Sequence, residues 1–135
     1  MEIGLLGKKI GMTRIYDLAG DIRSVTAIEF GINKITQLKS NNTDGYNAVQ
    51  IGFQTKKSKI IKAEKGHLLK SGIKDDFDKL SEFRVNDIDS YNLGQEISIN
   101  EISSGQYINV SSTSKGRGFA GGVKTNLDSI ISISI

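Results

Sequence analysis

Between Ser111 and Lys124 the chain reads S-S-T-S-K-G-R-G-F-A-G-G-V-K. Gly116, Gly118, Gly121 and Gly122 surround Lys115, Arg117 and Lys124, with Phe119 as the lone aromatic and no acid. Glycine lets a backbone approach a partner closely and take up positive φ. Interspersed cations attract phosphate. A single aromatic can stack on a base or wedge into a groove. The chemistry on offer is recognition of a nucleic acid through its backbone. A solvated glycine loop has the same composition, so composition alone leaves both readings open.

Two further basic groups point the same way. Lys8 and Lys9 are flanked by glycines, and Arg14 follows on the same segment. Lys56, Lys57, Lys59, Lys62, Lys65 and Lys70 form a run with His67 among them. Each group alone is more often a solvated face than a site. Three in one short chain shift the balance towards a polyanion. Aromatic repeats of the kind that build a single-strand stacking platform are missing. Recognition of a folded RNA by backbone and shape fits better. The candidate RNA-binding residues are therefore those named in the three groups, with Gly116, Gly118 and Phe119 in the last.

A search for enzyme chemistry finds little. His67 has Glu64 three residues before it, but pairing with a phosphate or capping a helix suits it better than general-base work. Asp75, Asp76 and Asp78 lack the spacing and distal glutamate of a calcium loop and read as a solvated acidic turn. Gly116, Arg117 and Gly118 lack the lysine and hydroxyl of a nucleotide phosphate loop. No serine sits in G-x-S-x-G. No catalytic residue, metal or cofactor is expected.

The totals set bounds. With 135 residues, the chain is one domain or one domain carrying a small insertion, long enough for a core. Its 37% hydrophobic fraction is too high for wholesale disorder. Net charge is only +3, but its distribution is uneven. Seven lysines and one acid lie between Lys56 and Lys74; eight acids and two bases lie between Asp75 and Glu101. The absence of cysteine rules out disulfides and thiolate metal sites, and a single histidine rules out multi-histidine ones. No apolar run approaches the ~20 residues of a membrane span, and the N-terminus does not read as a leader. The chain has no proline and is rich in isoleucine, asparagine and lysine. That composition suggests an AT-rich coding genome, as in an organelle or a reduced bacterium.

The elements that must hold these residues are mostly short strands. Ile3 to Tyr16, broken by Gly4, Gly7 and Gly11, reads as a bent strand with Lys8, Lys9 and Arg14 on an exposed face. Leu18 to Asp21 is a turn, and Ile22 to Phe30 is a strong β-branched strand. Gly31 to Asn33 is expected to turn the chain, so that Lys34 to Lys39 forms a hairpin with the preceding strand. Ser40 to Gly45 is a loop and Tyr46 to Phe53 a strand. Lys56 to Ile61 is ambiguous. Ala63 to Ser71 suits a short helix ended by Gly72. Strands are expected within Lys79 to Val85, Gln95 to Ile102 and Tyr107 to Val110. The uncharged tail Ser129 to Ile135 alternates serine and isoleucine, as a strand that must pair with something. This pattern predicts a barrel or sandwich rather than a βαβ sheet.

Two stretches go further. G-L-L-G-K-K-I-G-M-T-R-I-Y at Gly4 to Tyr16 resembles the N-terminal signature of the ribosomal protein L three family of the large subunit. S-T-S-K-G-R-G-F-A-G-G-V-K at Ser112 to Lys124 resembles that family's central signature. Between them N-K-I-T-Q-L-K, D-G-Y-N-A-V-Q-I-G-F, K-G-H-L-L-K-S-G, E-F-R-V and G-Q-E-I-S-I fall in the expected order. The resemblance covers residues 2–124 and is to the bacterial and organellar branch.

It implies a mainly β fold, a translation-protein-type β-barrel incomplete in this chain, with a small inserted α/β region. The expected division is 1–124 as the barrel part with an insertion at about 54–90, and 125–135 as a divergent tail. It implies a structural, non-enzymatic constituent of the large subunit that binds large-subunit rRNA and neighbouring ribosomal proteins and supports assembly. Lys8, Lys9 and Arg14 would meet RNA from the first strand, and Lys115 to Phe119 would lead the chain into it. The match stops near Lys124, before the family's loop towards the peptidyl transferase centre. The expectation is a split or truncated protein, with a second chain carrying the C-terminal half, on a mitochondrial or other organellar ribosome or, alternatively, in a bacterial cytoplasm. The competing classes are an extra-ribosomal RNA- or protein-binding module and a barrel of a translation factor or reductase-like enzyme. The last needs a nucleotide or flavin site that the sequence does not offer.

Overall fold

The computed structural model describes residues 3–54, 60–116, 118 and 130–134. The elements run β1 (Gly4–Tyr16), β2 (Ile22–Glu29), β3 (Ile32–Lys39), α1 (Asn41–Asp44), β4 (Ala48–Gln54), α2 (Lys62–Lys70), β5 (Lys79–Arg84), β6 (Glu96–Ile97), a 3₁₀ turn (Ile99–Glu101), β7 (Asn109–Ser112) and β8 (Ile130–Ser134). They form two antiparallel four-stranded sheets, ordered β2-β1-β8-β7 and β5-β4-β3-β6. The fold is mainly β, as expected, and the sheets do not close into a barrel.

The hairpin expected across Gly31 does not form. Among the described residues β2 pairs only with β1, and β3 pairs with β4 and β6. Ile32 and Asn33 already belong to β3, so the chain crosses from one sheet to the other at Gly31. A Cβ on Gly31 would collide with the carbonyl of Gln54, so only glycine lets the crossing pass that close. Asn33 then fastens the crossing. Its Oδ1 accepts from Leu6 N at 2.9 Å and its Nδ2 donates to Leu6 O at 3.1 Å, buried between the sheets.

The main core lies between the start of β1 and one face of the second sheet. Ile3, Leu5 and Leu6 join Ile35, Val49, Ile51, Phe53, Val85 and Ile97 in one cluster. Alternation along β4 sends Val49, Ile51 and Phe53 to this face and Gln50 and Gly52 to the other. Each large apolar side chain buried here contributes about 1.5–3 kcal/mol. A smaller cluster of Leu68, Ile73 and Phe77 covers the opposite face. There Phe77 packs on Gly52, where a Cβ would come within 2.6 Å of Phe77 Cγ.

Other elements differ from expectation only in extent. The alternation from Gln95 to Ile102 yields just the two residues of β6. The 3₁₀ turn then begins, with Ser98 Oγ accepting from Asn100 N at 3.3 Å. The Ser40–Gly45 loop holds one helical turn ended by Gly45 at φ +80°. The tail strand finds its partners within this chain, as β8 between β1 and β7.

Candidate nucleic-acid interface

The first sheet gathers two of the three basic groups. Ile131 of β8 pairs with Gly7 on one side and Ser112 on the other. Both neighbours are antiparallel to β8, so β1 and β7 run the same way and leave this level together. Lys8 and Lys9 follow immediately on β1, and Lys115 comes three residues beyond the end of β7. Two strand spacings separate the two paths, about 10 Å at this level. Gly116 and Gly118 continue the exit exposed to solvent, and Gly118 takes φ +95°, where a side chain would be strained. Arg117, Phe119 and Lys124 lie outside the described residues.

Along β1 a bulge re-sorts the cations. Lys9 pairs with Ile28 and Gly11 with Ala27, leaving Ile10 as the extra residue. Residues opposite one another in an antiparallel pair share a face. Lys9, Met12, Arg14 and Tyr16 therefore lie on one face of the hairpin with Ile28, Thr26, Ser24 and Ile22. Lys8 lies on the other face, opposite Glu29. The expectation that all three cations share one face is corrected: regular alternation would set Lys9 and Arg14, five apart, on opposite faces, and the bulge unites them. All three are exposed.

The third group is elsewhere. α2 lies over the Gln50 face of the second sheet, whereas β1 packs on the other face. His67 Nε2 donates to Gln50 Oε1 at 3.1 Å, and Thr36 Oγ1 donates to the same oxygen at 2.9 Å. Thr36 is itself the bulge residue of β3, between Ile35 and Gln37. His67 is thus half-buried and engaged with the sheet, while Lys62, Lys65 and Lys70 are exposed. Lys56, Lys57 and Lys59 lie outside the described residues.

Ion pairing separates these lysines from others. Arg23 pairs with Asp17 at 2.7 Å, Lys34 with Asp75 at 2.7 Å and Lys39 with Glu82 at 2.6 Å. The hydrogen bond that Lys34 donates to Asp75 raises its pKa, against some desolvation. The hydrogen bond to Glu82, then that to Tyr46, raises Lys39, and the Lys39 bond lowers Glu82. Tyr46 accepts from Lys39 at 2.9 Å, donates to Glu82 at 3.0 Å, and has Arg84 5.4 Å from its ring centre. Among the described residues, no ion pair engages Lys8, Lys9, Arg14, Lys62, Lys65, Lys70 or Lys115. These cations are exposed and stand outside the ion pairs just named. Sequence reading did not mark Lys34 and Lys39 as the neutralised ones, because their partners lie 41 and 43 residues away. Among the described residues no group of acids and histidine could hold a metal ion, and no helix is long and apolar enough to cross a membrane.

No family model matches the chain. Curated relatives do. Large ribosomal subunit protein uL3 of a Prochlorococcus marinus strain is 48% identical over 122 residues, 90% of this chain and 56% of the relative. The uL3 of a Synechococcus strain is 50% identical over 122 residues, with the same shares. That of Gloeobacter violaceus is 45% identical over 125 residues, 92% of this chain and 58% of the relative.

The chain belongs to the uL3 family. It matches an N-terminal part of it and spans little more than half the length of these relatives. The uL3 relatives named here are cyanobacterial, and none points to a mitochondrion.

Proposed function

We propose that the chain is a structural constituent of the large ribosomal subunit that binds large-subunit rRNA and performs no catalysis. The observation that carries this is that Lys8 and Lys9 on β1, and Lys115 just beyond β7, are exposed near one level of the first sheet, beside exposed glycines and outside the ion pairs of the described residues. Phosphates placed there release counterions on binding, which drives association and makes it salt-dependent. The exposed glycines let the backbone follow a folded RNA closely. Arg14 extends the contact along the hairpin, and Arg117, Phe119 and Lys124 continue it beyond Gly116. Neighbouring ribosomal proteins complete the surroundings.

The ribosome is of bacterial type. Cyanobacterial relatives, together with the AT-rich character of the composition, favour an organelle of cyanobacterial descent over a mitochondrion. In domain terms, residues 1–124 form the ribosomal unit, with an insertion at about 54–90. The separate cluster of Leu68, Ile73 and Phe77 supports that insertion. Residues 125–135 are a divergent tail that contributes a strand.

The distal hairpin has a second partner. Ile10, Met12, Tyr16, Leu18 and Ile22 are exposed, and a two-stranded ribbon bare on both faces is marginal in water. Polypeptide corresponding to the unmatched part of the relatives, or a neighbouring ribosomal protein, covers it. The same surface is what an extra-ribosomal protein-binding module would use, and it favours that reading as the alternative.

Filter binding of the chain to a transcript of its own organism's large-subunit rRNA, across a salt series, tests the proposal. Saturable binding that weakens log-linearly with salt supports it. Binding no stronger than to an unrelated RNA of equal length counts against it.

A further inference from the structure

Gly66 stands at the middle of α2, and the fold gives no reason for it. Its φ is not positive. A Cβ there would meet nothing within 4 Å. Glycine in a helix interior costs about 1 kcal/mol relative to alanine. The position therefore carries a destabilising residue with open space in front of it.

What surrounds that space is specific. Residues three and four apart on a helix are neighbours. Lys62, Leu69 and Lys70 thus adjoin Gly66 on one strip, with Lys65 beside it, and all are exposed. The helix is held from the other side, where Leu68 is buried and His67 donates to Gln50. Glu64, the only acid of α2, lies about 160° around the axis from Gly66, at 100° per residue. The strip is cationic along α2 and notched at its centre; Asp75 and Asp76 line a hollow at its edge with Lys65 and Leu69, and Asp75 is already paired with Lys34. From Lys62 to Lys70 the strip runs about 12 Å along the axis.

The geometry points to Gly66 as the place where an RNA sugar-phosphate backbone lies directly against α2. Lys62, Lys65 and Lys70 would take phosphates on either side, and Leu69 the ribose edge. A Cβ would push this backbone away, so the notch is kept despite its cost to the helix. His67 is then a positioning residue that fixes the rotation of α2 through Gln50, not a phosphate ligand. This inference rests on the rRNA-binding reading and names the element that makes a second contact.

The test uses the full chain, the rRNA transcript as probe, and Gly66→Ala, Gly66→Gln and Lys115→Ala variants. In free protein both Gly66 variants should unfold at the same or higher urea concentration than the parent. Their RNA affinity should fall about threefold for Gly66→Ala and about tenfold for Gly66→Gln, a factor worth ~1.4 kcal/mol. Their salt slope should stay that of the parent, because no charge is lost. Parent-like binding by Gly66→Gln, with binding by Lys115→Ala weakened, overturns the α2 contact and leaves the rRNA reading standing. A parent chain that does not bind the transcript overturns both. Binding of polyglutamate with the same sensitivity to Gly66→Gln overturns RNA as the occupant.

Discussion

The side-chain amide of Asn33 takes the place of a neighbouring strand for Leu6, accepting from its N–H and donating to its carbonyl. Leu6 lies in β1 and Asn33 in β3, so this pair of bonds ties the two sheets where the chain crosses between them. Asn33→Ala would strand both backbone groups of Leu6 in the core. Each orphan costs about 1–3 kcal/mol, so the loss should be at least about 2 kcal/mol in urea unfolding. Asn33→Asp should cost a similar amount, since a carboxylate cannot donate to the carbonyl. A change within about 0.5 kcal/mol for either would contradict the role given to this amide.

Gly52 and Phe77 make the contact that holds the insertion on the second sheet. Gly52→Ala places a methyl 2.6 Å from Phe77 Cγ. Overpacking of this kind costs about 1–3 kcal/mol. Phe77→Leu on that background should recover part of the loss, which a double-mutant cycle would reveal as coupling. Strict additivity would mean that the ring does not sit over Gly52.

The Lys39–Glu82 pair gives stability a defined pH dependence. Glu82 is lowered from its ordinary 4.5, chiefly by the Lys39 hydrogen bond, so its contribution is present above that value and lost as pH falls below it. Lys39 is raised from 10.5, so its contribution is present below that value and fades as pH rises beyond it. The parent should exceed Glu82→Gln in urea midpoint by a constant margin between roughly pH 6 and 9, and the margin should shrink below about 4.5. Both groups reach solvent, so the margin itself is small. A margin that does not change on acidification would argue against the pairing.

Cations at the sheet end should count as phosphates do. Removing one Lys–phosphate contact lowers the slope of log affinity against log salt by about 0.7–0.9. Lys9→Ala and Lys115→Ala should each show this, and the double variant about twice as much. Lys39→Ala, which removes a lysine already paired with Glu82, should leave the slope unchanged. Equal slopes for all the variants would remove the sheet end from the interface.

Much of this was legible in the sequence, for reasons that individual elements make plain. β2 and β4 announced themselves by β-branched residues and alternation, because each buries or pairs along its whole length. The end of α2 was legible from Gly72, which takes φ +72°. The crossing at Gly31 was not, because pairing was decided by a long-range amide and a backbone approach that local turn chemistry does not encode. The distribution of Lys8, Lys9 and Arg14 over two faces depended on one extra residue, Ile10, in a segment that otherwise reads as a regular strand. For His67 the sequence suggests pairing with a phosphate or capping a helix; its contact with Gln50, 17 residues away in sequence, is not encoded by local spacing. Which cations are free could be read only after Asp75 and Glu82 had been placed beside Lys34 and Lys39.

The account rests most directly on where the chain resides. Sedimentation of a native lysate, with mass spectrometry across the gradient, measures this. The expected result is cofractionation with the large ribosomal subunit, retained at moderate salt and stripped at high salt. A chain that stays at the top of the gradient, free of rRNA, would contradict the proposed function.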